Sequence, residues 1–324
     1  MHNYSDNSAA ASGIAFRGCF TAIITPFTAD GSRIDTAALA RQIAHQAAGG
    51  VTGIVVSGTT GESPTLSEAE YGQLLAEAIR IARPLKLAVI AGTGSNSTHH
   101  AVHLQKLAKA AGADATLSVN PYYNKPGQEG MYRHFMMQAD ASDLPVMLYN
   151  IPGRSAVALT TDTIERLAAH PNIRAIKEAT GSTDSASEII TRCPNLSLLS
   201  GDDSMTLPFM SVGGKGVVSV VSNVLPEKMS QLCAAILAGR MAEALQLHQQ
   251  IYSFSRAMFV ETNPIPVKAA MKLIGLDSGA MRLPMTEARA DTVTKVTAAL
   301  AELGIKPASG GFVESKPGSV RQSV

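Results

Sequence analysis

Eight short apolar runs alternate with longer amphipathic segments through the middle of this 324-residue chain. Such alternation is typical of repeated βα units around a parallel sheet. Eight units predict a closed (β/α)8 TIM barrel rather than an open, doubly wound sheet. The predicted strands are 20–26, 53–57, 85–91, 115–120, 146–150, 173–177, 196–200 and 216–220. Predicted helices between them include 36–48, 67–82, 98–111 and 160–169.

More helical segments follow the eighth strand than one barrel needs. They span 226–238, 241–258, 266–274 and 286–303. We therefore predict a barrel over 18–238 that contains the catalytic site, and a C-terminal helical extension over 239–305. Segments 1–17 and 306–324 are rich in small and polar residues without periodicity, so both are predicted to be poorly ordered.

Charge and cysteine content exclude several classes of function. The chain has 27 basic and 26 acidic residues without a sustained basic run, which argues against nucleic-acid and anionic-membrane surfaces. The three cysteines are far apart and form no CxxC pair, so neither a disulfide framework nor a cysteine zinc site is expected. No secretory leader or long apolar span is evident. We expect a cytoplasmic protein whose partners are small molecules or copies of itself.

Lys177 places a charged amine at the end of a strand that the pattern predicts to be buried. Burial disfavours the ammonium form and lowers the pKa of a lysine, which makes the amine a nucleophile able to form a Schiff base with a carbonyl. A lysine paired with a carboxylate near the strand end explains the same position. The run alone leaves both interpretations open.

Other polar residues also follow strand ends, where a TIM barrel builds its active site. The second strand is followed by Gly-Thr59-Thr60-Gly-Glu, whose backbone amides suit a carboxylate, although a turn with capping threonines is an equal alternative. Tyr122, Tyr123 and Tyr149 follow or end the fourth and fifth strands. Each alone could serve packing, but phenols near a buried lysine can pass protons during imine formation.

Arg154 follows the fifth strand in a Pro-Gly turn and suits a second carboxylate, with a plain surface arginine as the alternative. The eighth strand offers the carbonyl of Val218 as a ligand contact. Gly92-Thr-Gly94 lacks the third glycine of a dinucleotide loop. His99, His100 and His103 lie on a predicted helix without carboxylate ligands nearby, so a solvated face is favoured over a metal site. No metal site is predicted.

Six motifs lie at or near the strand ends and in the extension: GTTGE at 58–62, NPYYNKPGQEG at 120–130, YNIPGR at 149–154, IKEATG at 176–181, SGDD at 200–203 and NPIPVK at 263–268. Together they resemble the dihydrodipicolinate synthase family over about 18–303. The wider superfamily, which includes N-acetylneuraminate lyase and other pyruvate-dependent class I aldolases and dehydratases, shares the sixth-strand lysine, the fifth-strand tyrosine and the glycine loop. The Thr-Thr pair, the Tyr-Tyr-Asn-Lys-Pro loop and Arg154 resemble the synthases specifically.

The resemblance implies that Lys177 forms an imine with pyruvate, whose carboxylate is held by Thr59 and Thr60. Tyr149 would be the main proton donor and acceptor. Thr59 and Tyr123 would complete a proton relay to solvent.

It also implies a second substrate and a product. Arg154 would receive the carboxylate of L-aspartate 4-semialdehyde, and the backbone of Val218 would help to fix pyruvate. Cyclisation would give 4-hydroxy-tetrahydrodipicolinate, the first committed step of diaminopimelate and lysine biosynthesis, without a metal or organic cofactor.

The family's assembly implies that Tyr123 reaches across a tight dimer interface in a homotetramer built as a dimer of dimers. Lysine-inhibited members have an acidic residue in their allosteric cleft where this chain has His100, and Glu68 and Tyr71 replace histidines of some bacterial enzymes. Feedback inhibition by lysine is therefore not predicted, although part of the cleft matches. The candidate cleft residues are Ser63, Asn96, His100 and Tyr122.

Two other functions fit part of this pattern. One is a related pyruvate-dependent aldolase or dehydratase that acts on a sugar acid, because the lysine is shared. The other is a catalytically weak, ligand-binding paralogue.

Overall fold

A computed structural model describes residues 13–308 and shows a closed barrel of eight parallel strands. The strands pair in chain order, and β1 pairs with β8 to close the barrel. The TIM barrel with a C-terminal helical extension is confirmed. The predictions for 1–12 and 309–324 lie outside the described residues. The strands are β1 Gly18–Ala22, β2 Gly53–Val56, β3 Ala88–Gly92, β4 Ala115–Val119, β5 Val146–Asn150, β6 Ile173–Glu178, β7 Ser197–Ser200 and β8 Gly216–Ser219.

Helices follow the strands and form an outer layer, with three more beyond the barrel. The first nine are α1 Thr36–Ala48, α2 Glu68–Ala82, α3 Thr98–Ala111, α4 Gln128–Asp140, α5 Pro152–Ser155, α6 Thr161–Ala168, α7 Thr183–Arg192, α8 Thr206–Ser211 and α9 Pro226–Leu237. The extension contains α10 Met241–Ala257, α11 Ile265–Leu273 and α12 Ala290–Glu302. The ranges predicted for α1 and α3 match these bounds.

Local side chains explain where several helices begin. Ser67 caps α2 by accepting a hydrogen bond from the amide of Glu70, while the Glu70 carboxylate accepts one from the Ser67 amide. Ser97 and Thr160 cap α3 and α6 through the first of these two hydrogen bonds, in which the side chain accepts from a backbone amide of the first turn. Each cap satisfies an amide that has no partner within its helix, so helix starts follow from short sequence signals.

Apolar side chains fill two layers. Those that point into the barrel form one cluster, which includes Phe20, Met147, Tyr149 and Val218, while the faces between sheet and helices form two larger clusters. Phe16 lies within the segment predicted to be poorly ordered. It is buried, and its ring centroid lies 6.4 Å from that of Phe20. The packed interior leaves the carboxyl ends of the strands as the place for a site.

Two strand limits differ from the prediction by three residues or more. β1 ends at Ala22 instead of residue 26, because the Asn223 side chain donates to the Ala22 carbonyl and accepts from the Ile24 amide at 2.9 and 3.1 Å. β3 begins three residues late, because Arg83–Leu85 form a 3-10 turn. At β1 a side chain distant in the sequence ends the strand, and at β3 a local turn replaces the first three residues of the predicted strand. In both places the apolar run alone does not set the strand limit.

Candidate active site

Lys177 lies near the carboxyl end of β6, 5% exposed, and pairs in register with Tyr149 of β5. Its Nζ stands 4.1 Å from the centroid of the Tyr149 ring. Burial lowers the pKa of Lys177 to about 7, opposed by the charge of Asp203 and reinforced by that of Arg154. A substantial fraction of the amine is therefore uncharged at neutral pH, as a nucleophile requires.

Tyr149 is also 5% exposed, and its ring lies beside this amine. Burial raises the pKa of Tyr149 to about 12; the charge of Arg154 and a hydrogen bond with Thr59 act against this rise, and Asp202 adds to it. The phenol thus keeps its proton at neutral pH. A neutral phenol beside an uncharged amine can donate a proton to an oxygen that leaves as water.

The loop after β2 places Thr59 and Thr60 beside this pair. Thr59 hydrogen-bonds with Tyr149, and Thr60 is 2% exposed with its hydroxyl accepting from the Asn263 side-chain amide at 3.0 Å. The Thr25 hydroxyl donates to the Gly61 carbonyl at 2.6 Å and holds the far end of the same loop. The two threonines are therefore held in place before any ligand binds.

A buried ion pair anchors this loop to the C-terminal extension. Nζ of Lys268, on α11, donates to Glu62 at 2.6 Å, to the Ala280 carbonyl at 2.7 Å and to the Thr25 carbonyl at 3.0 Å. The ammonium uses all three of its donors, which is what makes a buried charge tolerable. Glu62 has a φ of 54°, so the pair also holds a left-handed backbone turn next to the threonines. The motif at 263–268 thus has a structural role.

Arg154 lies on the single turn α5, exposed at the barrel mouth. Its Nη2 donates to the Asn263 carbonyl at 2.9 Å. A cavity of about 300 Å³ lies here, lined by Thr59, Tyr122, Arg154 and Asn263 among others. The guanidinium thus faces a space large enough for a small acid, as the sequence predicts for a carboxylate anchor.

Asn263 connects the two anchors, since its side chain reaches Thr60 and its carbonyl reaches Arg154. Its Oδ1 is buried without a hydrogen-bond partner among the described residues. Asn263 begins one of the six sequence motifs, but the sequence alone assigns it no role. The only sequence signal was an uncharged polar residue before a proline, which is too common to be decisive.

Asp203 is a second candidate site residue to which the sequence alone assigns no role. It lies on the turn after β7, is 1% exposed, and accepts from the Ser219 hydroxyl at 2.5 Å and from the amides of Val220 and Val221 at 3.0 and 3.2 Å. Burial raises the pKa of Asp203 to about 6, against the effect of these hydrogen bonds and with a small addition from Asp202. Two consecutive acids after a strand were the available signal.

Val218 lies on β8, fully buried and opposite Phe20 of β1. It belongs to the cluster inside the barrel that also contains Tyr149. The contact of its carbonyl with a ligand stays a prediction.

The loop after β4 separates its two tyrosines. Tyr123 is 88% exposed and has a φ of 75°, whereas Tyr122 is 38% exposed and lines the cavity beside Arg154. Within one protomer the structure does not bring Tyr123 to Lys177. An exposed aromatic side chain on a left-handed backbone is unfavourable by itself and needs a further contact to explain it.

A second cavity, of about 280 Å³, lies between the loop after β2 and α3. Three of the four predicted cleft residues line it: Ser63, His100 and Tyr122. Asn96 is not in this lining; its carbonyl accepts from the Asn124 side chain at 2.9 Å. Glu68 and Tyr71 complete the wall, and Glu68 pairs with His103 at 3.1 Å.

Residues 13–308 contain neither a cluster of potential metal ligands nor a helix suited to a membrane. Three or more His, Cys, Asp or Glu side chains are nowhere grouped there in a way that could hold a metal ion. None of the helices in that range has the length and apolar character needed to cross a membrane.

Comparison with known proteins shows close similarity over nearly the whole chain. A model of the dihydrodipicolinate synthetase family matches residues 15–303. A 4-hydroxy-tetrahydrodipicolinate synthase of Leptospira biflexa is 48% identical over 295 residues, which is 90% of this chain and 99% of the relative. A 4-hydroxy-tetrahydrodipicolinate synthase of Citrifermentans bemidjiense is 46% identical over 288 residues, which is 89% of this chain and 98% of the relative. The crystal structure of dihydrodipicolinate synthase from Aquifex aeolicus superposes with a TM-score of 0.88 at 42% identity, covering 91% of this chain and all of that one.

Proposed function

The chain belongs to the dihydrodipicolinate synthetase family, and we propose that it condenses pyruvate with L-aspartate 4-semialdehyde to give 4-hydroxy-tetrahydrodipicolinate. It is a lyase that forms a Schiff base. One observation carries this proposal from the chain's own residues: Lys177 is buried, its pKa is lowered to about 7, and its amine faces the phenol of Tyr149.

The first step is imine formation with pyruvate. The uncharged Nζ of Lys177 attacks the keto carbon, a C–N bond forms, and the keto oxygen becomes a hydroxyl. Tyr149 then donates a proton to this hydroxyl, which leaves as water and gives a protonated imine. Thr59, hydrogen-bonded to Tyr149, is placed to return a proton to the phenol.

The second step is carbon–carbon bond formation. The protonated imine withdraws electrons, so the pyruvyl methyl gives a proton to the relay of Tyr149 and Thr59 and an enamine forms. The enamine attacks the aldehyde carbon of the second substrate, whose oxygen takes a proton from the same relay and becomes a hydroxyl. The amine of that substrate then attacks the imine carbon, closes the ring and releases Lys177 as the free amine. This chemistry uses the lysine as its electron sink, so we propose that the enzyme needs no metal or organic cofactor.

Both substrates have carboxylates that need anchors. We assign the pyruvate carboxylate to Thr59 and Thr60, whose loop is held by Asn263 and by the buried Glu62–Lys268 pair. The backbone of Val218 would fix the rest of pyruvate. Arg154 faces the cavity outside and would hold the carboxylate of aspartate semialdehyde by paired charge-assisted hydrogen bonds.

We also propose that Tyr123 completes the relay of a neighbouring protomer in a homotetramer. Its 88% exposure and left-handed backbone support a contact outside its own chain. Mixed assemblies test this. Neither Tyr123→Phe nor Lys177→Ala should be fully active alone, but co-expression should recover activity, because a mixed dimer then contains one complete site. A mixture no more active than its parts would contradict an exchanged tyrosine.

The second cavity is where we place the possible lysine cleft. Ser63, His100 and Tyr122 line it, but its wall also contains Glu68, which pairs with His103. We expect lysine to inhibit weakly or not at all. Initial rates measured with increasing lysine at subsaturating pyruvate test this directly.

Borohydride reduction in the presence of pyruvate tests the central proposal. Mass spectrometry should find a reduced pyruvyl group on Lys177, and an active enzyme that stays unmodified would contradict the imine. Turnover of aspartate semialdehyde against N-acetylneuraminate and deoxy-sugar acids separates the synthase from a sugar-acid aldolase. Arg154→Ala should greatly reduce turnover of the first only.

We propose that the enzyme works in the cytoplasm in diaminopimelate and lysine biosynthesis. Expression in a bacterium that requires diaminopimelate should restore growth. Growth failure despite protein that traps pyruvate would favour a catalytically weak paralogue.

A further inference from the structure

Asp203 is a buried carboxylate beside the site to which the reaction above assigns no part. It is 1% exposed and accepts three hydrogen bonds: from the Ser219 hydroxyl and from the amides of Val220 and Val221. Burial favours the neutral acid, but three donors aimed at one carboxyl group favour the anion. The site thus holds a negative charge in a place where water cannot screen it.

The loop that carries Asp203 packs directly on the nucleophile. A Cβ at Gly201 would stand 3.1 Å from Cε of Lys177 and 2.8 Å from Cβ of Ala179. Only a glycine lets the backbone lie this close to the lysine side chain. Through this packing the charge of Asp203 acts on Lys177 and raises its pKa, against the effect of burial.

We propose that Asp203 is a positioning residue that supplies the buried counter-charge for the protonated imine formed at Lys177. This inference rests on the function proposed above. An uncharged amine becomes a protonated imine, then a neutral enamine after the methyl proton leaves, and a protonated imine again once the new carbon–carbon bond forms. A fixed negative charge stabilises both cationic states relative to the free amine and the enamine.

The other titratable groups around Asp203 do not raise the pKa of Lys177. Asp202 raises the pKa of Asp203. The Cys19 thiol has its pKa raised well above the ordinary value by burial, then by Cys233 and Asp203, and burial raises the pKa of Cys233 to about 12, so both thiols are neutral. Arg154 acts on Lys177 in the opposite sense, lowering its pKa. Tyr149 is neutral. Asp203 is therefore the anion that raises the pKa of the amine.

An asparagine can replace Asp203 and still make a hydrogen bond with each of its three partners, one of them reversed. Its Oδ1 would accept from the amides of Val220 and Val221, and its Nδ2 would donate to the Ser219 hydroxyl, which already accepts from the Ser222 amide at 2.8 Å and has a lone pair to spare. Asp203→Asn thus removes the charge and takes from the Ser219 hydroxyl its carboxylate acceptor. Ser219→Ala is the matched control, because it removes the same hydrogen bond and keeps the carboxylate; the two are compared well above pH 6, since loss of this donor raises the pKa of Asp203.

The test measures borohydride trapping of pyruvate on Lys177 over a range of pH. In Asp203→Asn we expect the apparent dissociation constant for pyruvate to rise by about tenfold or more. The acidic limb of imine formation should move to lower pH, because the amine has lost the charge that favours its protonation. Ser219→Ala should keep both properties near the wild type. Unchanged trapping in Asp203→Asn, or equal weakening in both variants, would overturn the inference.

A measurement on the unaltered enzyme covers the case in which Asp203→Asn does not fold. Between pH 6 and 7 Lys177 is partly uncharged, and Asp203 and Asp277, whose pKa values burial raises to about 6, are partly protonated and give an infrared band of a buried acid. Saturation with pyruvate should weaken this band by the part that belongs to Asp203, since a permanent neighbouring cation favours the carboxylate; a band of unchanged intensity refutes the role. If the unaltered enzyme does not trap pyruvate at Lys177, the proposed function itself fails.

Discussion

Replacing Lys268 by methionine tests whether the C-terminal extension holds the loop of Thr59 and Thr60. Lys268 is fully buried, and its amine donates to Glu62, Ala280 and Thr25 at 2.6, 2.7 and 3.0 Å. Methionine keeps an unbranched side chain but has no donor. The substitution leaves the Glu62 carboxylate buried without its cation and removes one donor from each of two carbonyls.

The structure sets the size of the effect. Removing one partner of a buried ion pair costs about 3–5 kcal/mol, and each carbonyl that loses a donor adds about 1 kcal/mol at most. We expect the free energy of unfolding to fall by about 4 kcal/mol or more. With an unfolding entropy of about 2.1 cal/mol/K per residue, this corresponds to a Tm lower by about 6 °C. The KM for pyruvate should rise as well, because Thr59 and Thr60 lose their support.

Lys272→Met is the matched control, since Lys272 lies one turn further along α11. Its side chain is half-exposed and its Nζ is 3.7 Å from Glu287, so removing this surface pair should cost under about 1 kcal/mol. Thermal unfolding by circular dichroism compares the two. Equal losses of Tm would refute the reasoning. So would a double variant, Lys268→Met with Glu62→Met, that is no more stable than Lys268→Met alone.

Three further predictions concern the site. Burial lowers the pKa of Lys177 from 10.5 to about 7, so between these values the unfolded chain binds more protons than the folded one. Lys177→Met should therefore raise the free energy of unfolding by a few kcal/mol below about pH 7, and chemical denaturation should show this gain shrinking as pH rises toward 10.5. Tyr149→Phe removes the phenolic proton and should lower kcat by about 10²–10⁴-fold in steady-state assays, while an unchanged kcat would exclude Tyr149 as the donor. Gly201→Ala should displace Lys177 and reduce imine trapping, whereas Gly72→Ala, where a Cβ meets nothing within 4 Å, should leave trapping unchanged.

Much of the fold follows from local sequence patterns. β5 and the helices α1 and α3 have the predicted limits, because apolar periodicity and capping residues act within a few positions. The limits of β1 do not follow in this way. The pairing of β1 with its neighbouring strands stops where Asn223, about 200 positions away, forms hydrogen bonds with the backbone groups of Ala22 and Ile24.

The candidate site also contains residues that the sequence predicts and residues that it does not. Lys177, Tyr149 and Arg154 could be proposed from the sequence, because each follows or ends a strand and a barrel brings strand ends together. Asp203 and Asn263 could not. Their importance depends on which groups they meet, and these partners come from other strands and from the extension.

The sequence by itself determined the eight-stranded barrel, the extension and the strand ends that carry the chemistry, since periodicity and strand order are properties of the chain alone. Only the tertiary structure shows how the two buried lysines differ. Lys177 and Lys268 are both buried, but the amine of Lys268 donates to the carboxylate of Glu62 at 2.6 Å. Lys177 instead faces the ring of Tyr149, and the charge of Asp203 acts on it through space. A buried amine with a hydrogen-bonded carboxylate is an anchor, and one without such a partner has a lowered pKa and is a nucleophile. That difference lies in contacts between distant segments, and no local pattern encodes it.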